Sequence, residues 1–99
     1  MLHHVVLVTL RDGATDAEVD AVLAGFAALP TAIAGIRSYD VGRDAGLSPN
    51  PFGIVLVATF DDAEAFAAYR AHPVHVAFRR DLLEPAARDI TSTQFFTAP

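Results

Sequence analysis

Two segments of this chain are apolar on both faces, and a strand of that kind must be covered twice. In His4–Leu10, Val5, Leu7 and Thr9 alternate with Val6, Val8 and Leu10; in Gly53–Phe60, Val55, Val57 and Thr59 alternate with Ile54, Leu56 and Phe60. A sheet with one solvated face shows polar residues at every second position, whereas apolar residues on both sides mark a sheet buried on both. The chain has 99 residues, room for a single domain of usual size. A core that small holds its fold by a thin margin. Against that margin, 53% hydrophobic residues and a mean hydropathy of +0.35 are high for a domain standing alone. The excess points to surface buried against another chain.

The remaining elements follow from caps, breakers and periodicity. Thr15 and Glu18 have capping-box spacing and introduce Val19, Val22, Leu23, Phe26 and Leu29 at helical intervals, with Pro30 and Gly35 closing the helix region. Ile36–Gly42 alternates like a half-buried strand, and residues 43–52, with Gly46, Pro49 and Pro51, read as a loop. Asp61 and Glu64 repeat the capping-box spacing before a short helix carrying Phe66 and Tyr69. That helix is expected to stop near His72, because a residue before proline is biased out of the helical region, and Pro73 suits the first position of the next. Val74–Leu83 continue that second helix, Pro85 weakens its end, and Asp89–Phe96 reads as the last strand. The order β-α-β-β-α(α)-β predicts an α+β, ferredoxin-like split-βαβ fold with a four-stranded antiparallel sheet. All helices then lie on one face. Covering the other with a second copy recovers about 25 cal/mol per Å² of apolar area, so a homodimer is expected.

Charge and residue content exclude several classes of function. Seven arginines against twelve acidic residues leave a net charge of −5, the wrong sign for nucleic acid or an anionic membrane surface. With no cysteine there is no disulfide, no thiolate chemistry and no zinc site built on sulfur. The opening MLHHVV lacks a basic leader and no apolar run approaches membrane-spanning length, so a cytoplasmic location is expected. Rich in alanine and using arginine without lysine, the chain has the bias of a GC-rich bacterial genome. No phosphate-cradling glycine loop, Gly-x-Ser-x-Gly elbow or dinucleotide fingerprint is present, and no cofactor is expected.

Several segments resemble one known family. The opening His-Val-Val-Leu strand, Gly35-Ile36-Arg37-Ser38-Tyr39-Asp40-Val41-Gly42-Arg43, Val57-Ala58-Thr59-Phe60-Asp61-Asp62 and Tyr69-Arg70-Ala71-His72-Pro73-Val74-His75-Val76 look like the stress-responsive A/B barrel, or Dabb, domain. The Tyr-x-x-His-Pro-x-His block is the specific element, and the resemblance runs from about residue 2 to 96. It implies a single domain over residues 1–99 that dimerises into an α/β barrel, two sheets closing face to face. In one branch, the olivetolic acid cyclase type, such proteins close a linear polyketide by intramolecular aldol condensation. By motif match, the catalytic Tyr and second His of that branch correspond to Tyr69 and His75, and the first-strand His to His4. A shared fold does not transfer a reaction.

The residues themselves suit that chemistry in part. His75 stands near the N-terminus of the helix begun by Pro73, where an imidazolium is disfavoured, so a neutral base is expected. Tyr69 offers a phenolic O–H to an oxyanion. The structural alternative is that both brace a junction between two helices and the sheet. His72 reads first as a cap on the turn before Pro73 and second as a ligand contact. His72 and His75 as a metal pair lack a third ligand, and no metal is expected. His3 and His4 face opposite sides of their strand, so one of them joins the helix layer. Leu23, Phe26, Phe66 and Phe78 have core spacing, and line an apolar ligand cavity if the core is imperfectly filled. Arg79 and Arg80 read as solvated or paired with Asp81 and Glu84. Three functions are in play: a cyclase-like lyase with a His75 base and Tyr69 donor acting on a small aromatic or polyketide-like molecule, a non-catalytic stress-related dimer, and a cofactor-free monooxygenase of the same barrel superfamily.

Overall fold

A computed structural model describes residues 1–98. Strand β1 (Leu2–Leu10) leads into helix α1 (Asp16–Ala32), the hairpin β2 (Ile36–Arg43) and β3 (Ile54–Phe60), helices α2 (Ala63–Ala71) and α3 (Pro73–Phe78), and strand β4 (Ala87–Phe96). The four strands are antiparallel in the order β2-β3-β1-β4, the ferredoxin-like arrangement. Even-numbered residues of β1 and β3 face the helices. Val8, Ile54, Leu56, Ala58 and Phe60 are wholly inaccessible there. Odd-numbered residues face the other way, where Val5, Leu7 and Val55 are half-buried and Val57 is exposed. The molecule is 18 Å through its thinnest dimension, the depth of one sheet and one helix layer.

Local chemistry accounts for the elements and for three departures from expectation. Thr15 caps α1 by accepting the Glu18 N–H at 3.1 Å, and Glu18 reaches back to the Thr15 N–H; Arg11 grips the same carboxylate at 2.6 Å. Pro30 does not close the helix. It sits inside α1, whose last turn ends at Ala32 with the Ile33 N–H bonded to Leu29, because a proline so near the C-terminus forfeits a single backbone bond. Gly35 at φ +93° then turns the chain into β2, a backbone region that glycine enters without steric cost. The cap of α2 is Asp62, which accepts the Ala65 N–H at 2.8 Å, rather than Asp61. Asp61 instead receives both arms of Arg37, at 2.8 and 2.5 Å. The helix expected over Val74–Leu83 is regular only to Phe78. Arg79–Leu83 form a wide π turn, closed by the Glu84 N–H on Arg79, before the short turn Glu84–Ala86. Pro85 cannot donate to the carbonyl four residues back and crowds it, and the wider turn relieves that crowding.

Candidate functional site

The helix layer does not fill the space over the β1/β4 half of the sheet. A cavity of about 240 Å³ remains, floored by His4 and Val6 of β1 and Ile90 and Ser92 of β4. Tyr69 and Arg70 of α2, His75 of α3, and Arg79, Leu83 and Glu84 of the turns that follow form the rest of the wall, with Phe26 of α1 behind. The break between α2 and α3 sets this geometry. His72 ends one helix and begins the other at φ −62°, ψ 133°, and its Nδ1 accepts the Val74 N–H at 3.1 Å. The bend brings His75, on the first turn of α3, against Tyr69, on the last turn of α2, with ring centroids 4.4 Å apart.

Tyr69 is wholly buried, and its hydroxyl lies 2.8 Å from that of Tyr39 on β2. Burial pushes both phenols up; the Tyr39 hydrogen bond and the charge of Arg79 work the other way on Tyr69, leaving it the more acidic of the two. Either hydroxyl can donate in this pair; when Tyr39 donates to the Tyr69 oxygen, the Tyr69 proton is free for another acceptor. His4 is buried between Phe66, 4.7 Å away, and Tyr69, 6.1 Å away. Its Nδ1 lies 3.0 Å from the Gln94 amide nitrogen; with that amide donating, the ring proton rests on Nε2. His75 is only 6% exposed and its Nδ1 has no hydrogen-bond partner. Burial first, and the positive charge of Arg79 next, hold His75 at about 4, outweighing the Arg70 carbonyl, which favours protonation. His4 is also held at about 4, by burial, then His75, then Arg70. Both imidazoles are neutral at pH 7.

His75, Tyr69 and His4 thus meet on one wall, together with Phe26. The other four residues expected to contact a ligand lie off the cavity. Phe78 packs on Phe26 at 4.7 Å and occupies the space left by Gly25, where a Cβ would stand 2.4 Å from its ring. Leu23 packs against the core, and Phe66 fills the gap between His4 and Phe60. His72 is committed to its cap. Of the two adjacent histidines, His3 faces the uncovered side of the sheet, stacked on Phe95 at 4.7 Å. Among the described residues no three His, Asp or Glu side chains stand close enough to hold a metal. Tyr39, Gln94 and Arg70 were not foreseen as site residues. The β1–β4 register, which pairs His4 with Gln94, is the signal that locates Gln94.

The model of the Stress responsive A/B Barrel Domain family matches residues 2–97. The chain belongs to that family. The stress-response A/B barrel domain-containing protein HS1 of Arabidopsis thaliana is 31% identical to it over 77 residues, 76% of this chain and 71% of that protein. A dimeric ferredoxin-like protein of unknown function from Thermobifida fusca superposes with a TM-score of 0.86 at 31% identity, covering 95% of this A/B barrel domain and 88% of that chain. A hydroxynitrile lyase from Passiflora edulis, 17% identical, shares the fold at a TM-score of 0.85 over 98% of this chain and 93% of its own. No helix among the described residues of the domain is long and apolar enough to cross a membrane.

Proposed function

We propose that this A/B barrel domain works as a homodimer whose cavity takes a small aromatic or polyketide-like molecule and promotes its aldol cyclisation, with His75 as base, Tyr69 as oxyanion donor and His4 orienting the pair. The observation that carries this reading is a buried, neutral imidazole, its Nδ1 without a hydrogen-bond partner, set against a tyrosine on the wall of a cavity. The homodimer rests on the uncovered apolar sheet face and on the dimeric state of the Thermobifida fusca relative.

The chemistry balances on these groups. The imidazole of His75 takes a proton from a methylene flanked by two carbonyls. The resulting enolate carbon bonds to a distal ketone carbon, whose oxygen becomes an alkoxide held by the Tyr69 O–H. The imidazolium returns its proton to that oxygen, and loss of water with enolisation completes the ring. An imidazole held at about 4 is a weak base while the cavity is empty. Negative charge developing beside it on the enolate raises its basicity when it is needed.

Turnover of a linear poly-β-keto thioester to a cyclised product tests the reading. His75→Ala is expected to lower the rate by about 10²–10⁴, and Tyr69→Phe by about 10²–10³, with the dimer intact by native mass spectrometry. Unchanged turnover in either variant, or no cyclised product from the wild-type protein, overturns the assignment. A non-catalytic reading draws on the complete burial of Tyr69 and its bond to Tyr39, which suit a structural brace. On that reading the same substitutions lower the melting temperature and change no ligand response.

A further inference from the structure

Arginines in this chain are almost all answered by carboxylates. Arg11, Arg37, Arg43, Arg79, Arg80 and Arg88 each have an Asp or Glu oxygen within 4.0 Å. Among the described residues Arg70 is the exception, and it is also a wall residue of the cavity. Its guanidinium stands 5.8 Å from the centroid of the Phe66 ring on the same helix, a cation–π contact that orients it without neutralising it. Arg79, also on the wall, has the Glu84 carboxylate 3.7 Å away. With His4 and His75 neutral, Arg70 is the one cation of the wall with no carboxylate oxygen of the described residues within 4.0 Å, within a chain whose net charge is −5.

We infer that the cavity selects an anionic ligand, a single-ring carboxylate whose charge is met by Arg70 and whose ring rests on Val6, Phe26, Leu83 and Ile90. The inference builds on the reading of this cavity as a small-molecule site. Its size suits one ring: about 240 Å³ lies below the ~300–1,000 Å³ common for drug-sized molecules. Its polarity suits one charge. The floor offers a carboxylate only the neutral polar groups of His4 and Ser92, so an anionic end finds its charged partner in the guanidinium, which binds carboxylates in a planar fork. The same arginine opposes protonation of His4 and His75, so neutralising its charge with a bound carboxylate makes both histidines better bases.

Calorimetric titration of the dimer with benzoate and with its uncharged isostere benzamide tests this, since the two differ in charge and hardly in shape. Benzoate is expected to bind about tenfold more tightly, a difference of ~1.4 kcal/mol, with millimolar or better affinity. Added salt is expected to erode that preference. Arg70→Gln should bring the benzoate-to-benzamide ratio close to one, and Arg70→Lys should retain part of it. Ser92→Phe, which places a ring in the cavity, should abolish binding of both and so locate the site. Equal affinity for both probes, or a ratio unchanged by Arg70→Gln, overturns charge selection while the small-molecule site stands. Failure of both probes to bind at about 10 mM, or binding that persists in Ser92→Phe, removes the site itself.

Discussion

The two halves of the helix–sheet interface differ in kind. Over β3, Ile54, Leu56, Ala58 and Phe60 are each sealed from solvent, and the interior is solid. Over β4 the strand is exposed along nearly its whole length, the helix layer pulls away, and polar groups gather around the cavity. One sheet and one set of helices thus build a packed half that holds the fold and a hollow half that offers chemistry. The difference arises at the α2–α3 break and the wide turn after Phe78, which swing the chain clear of β4. The hollow half also holds the buried histidines: His4 and His75 are each nearly inaccessible, and both carry a cost of burial that lowers their affinity for a proton.

Substitutions can break that contrast. Ile54→Ala, in the packed half, is expected to cost about 2–5 kcal/mol, which is a fall in melting temperature of roughly 10 °C or more for a domain of this size. Ile90→Ala, the same change at a cavity position already 41% exposed, should cost less than about 1 kcal/mol. Thermal melts of the two variants side by side measure the asymmetry. Equal losses would mean that the two halves are packed alike.

Acid probes the hollow half selectively. His4 and His75 are held at about 4 in the folded chain against 6.5 in an unfolded one. Between those values the unfolded chain takes up protons that the folded chain refuses, so stability present above about pH 6.5 drains away as pH falls towards 4. A fall of roughly 10 °C or more in melting temperature across that window is expected, on the order of several kcal/mol for two rings shifted from 6.5 to about 4, and His75→Ala should remove about half of it. A melting temperature constant from pH 7 to 4 would contradict the burial of both rings.

Smaller effects sharpen the picture. Arg70→Gln should raise the titration midpoints of His4 and His75 in NMR spectra, since one source of positive charge near each is removed. Tyr39→Phe removes a single hydrogen bond to Tyr69 and should cost about 1 kcal/mol.

Much of the packed half was legible in the sequence, and less of the hollow one. Apolar alternation in β1 and β3, the Thr15–Glu18 box and the His72-Pro73 break each depend on neighbours within a few residues, and each forms where its pattern stands. The choice between Asp61 and Asp62 as cap was not local, because Arg37, 24 residues away in the chain, claims Asp61. Partners of the site lie further off still. Tyr39 reaches Tyr69 across 30 residues and Gln94 reaches His4 across 90, contacts that exist only once the strands are in register. Spacing placed Phe66 and Phe78 on apolar helix faces, but whether such a face meets a cavity or a neighbour depends on volumes, and at Gly25 the missing side chain admitted Phe78.

The central claim, that one half of the interface is a ligand site and the other is sealed, is tested most directly by NOE contacts between bound benzoate and methyl-labelled protein. Contacts are expected from the ring to the methyls of Val6, Leu83 and Ile90, and none to Ile54 or Leu56. Contacts confined to Val5, Val55 and Val57 on the opposite face of the sheet, or no contact with any methyl of the cavity wall, would contradict it.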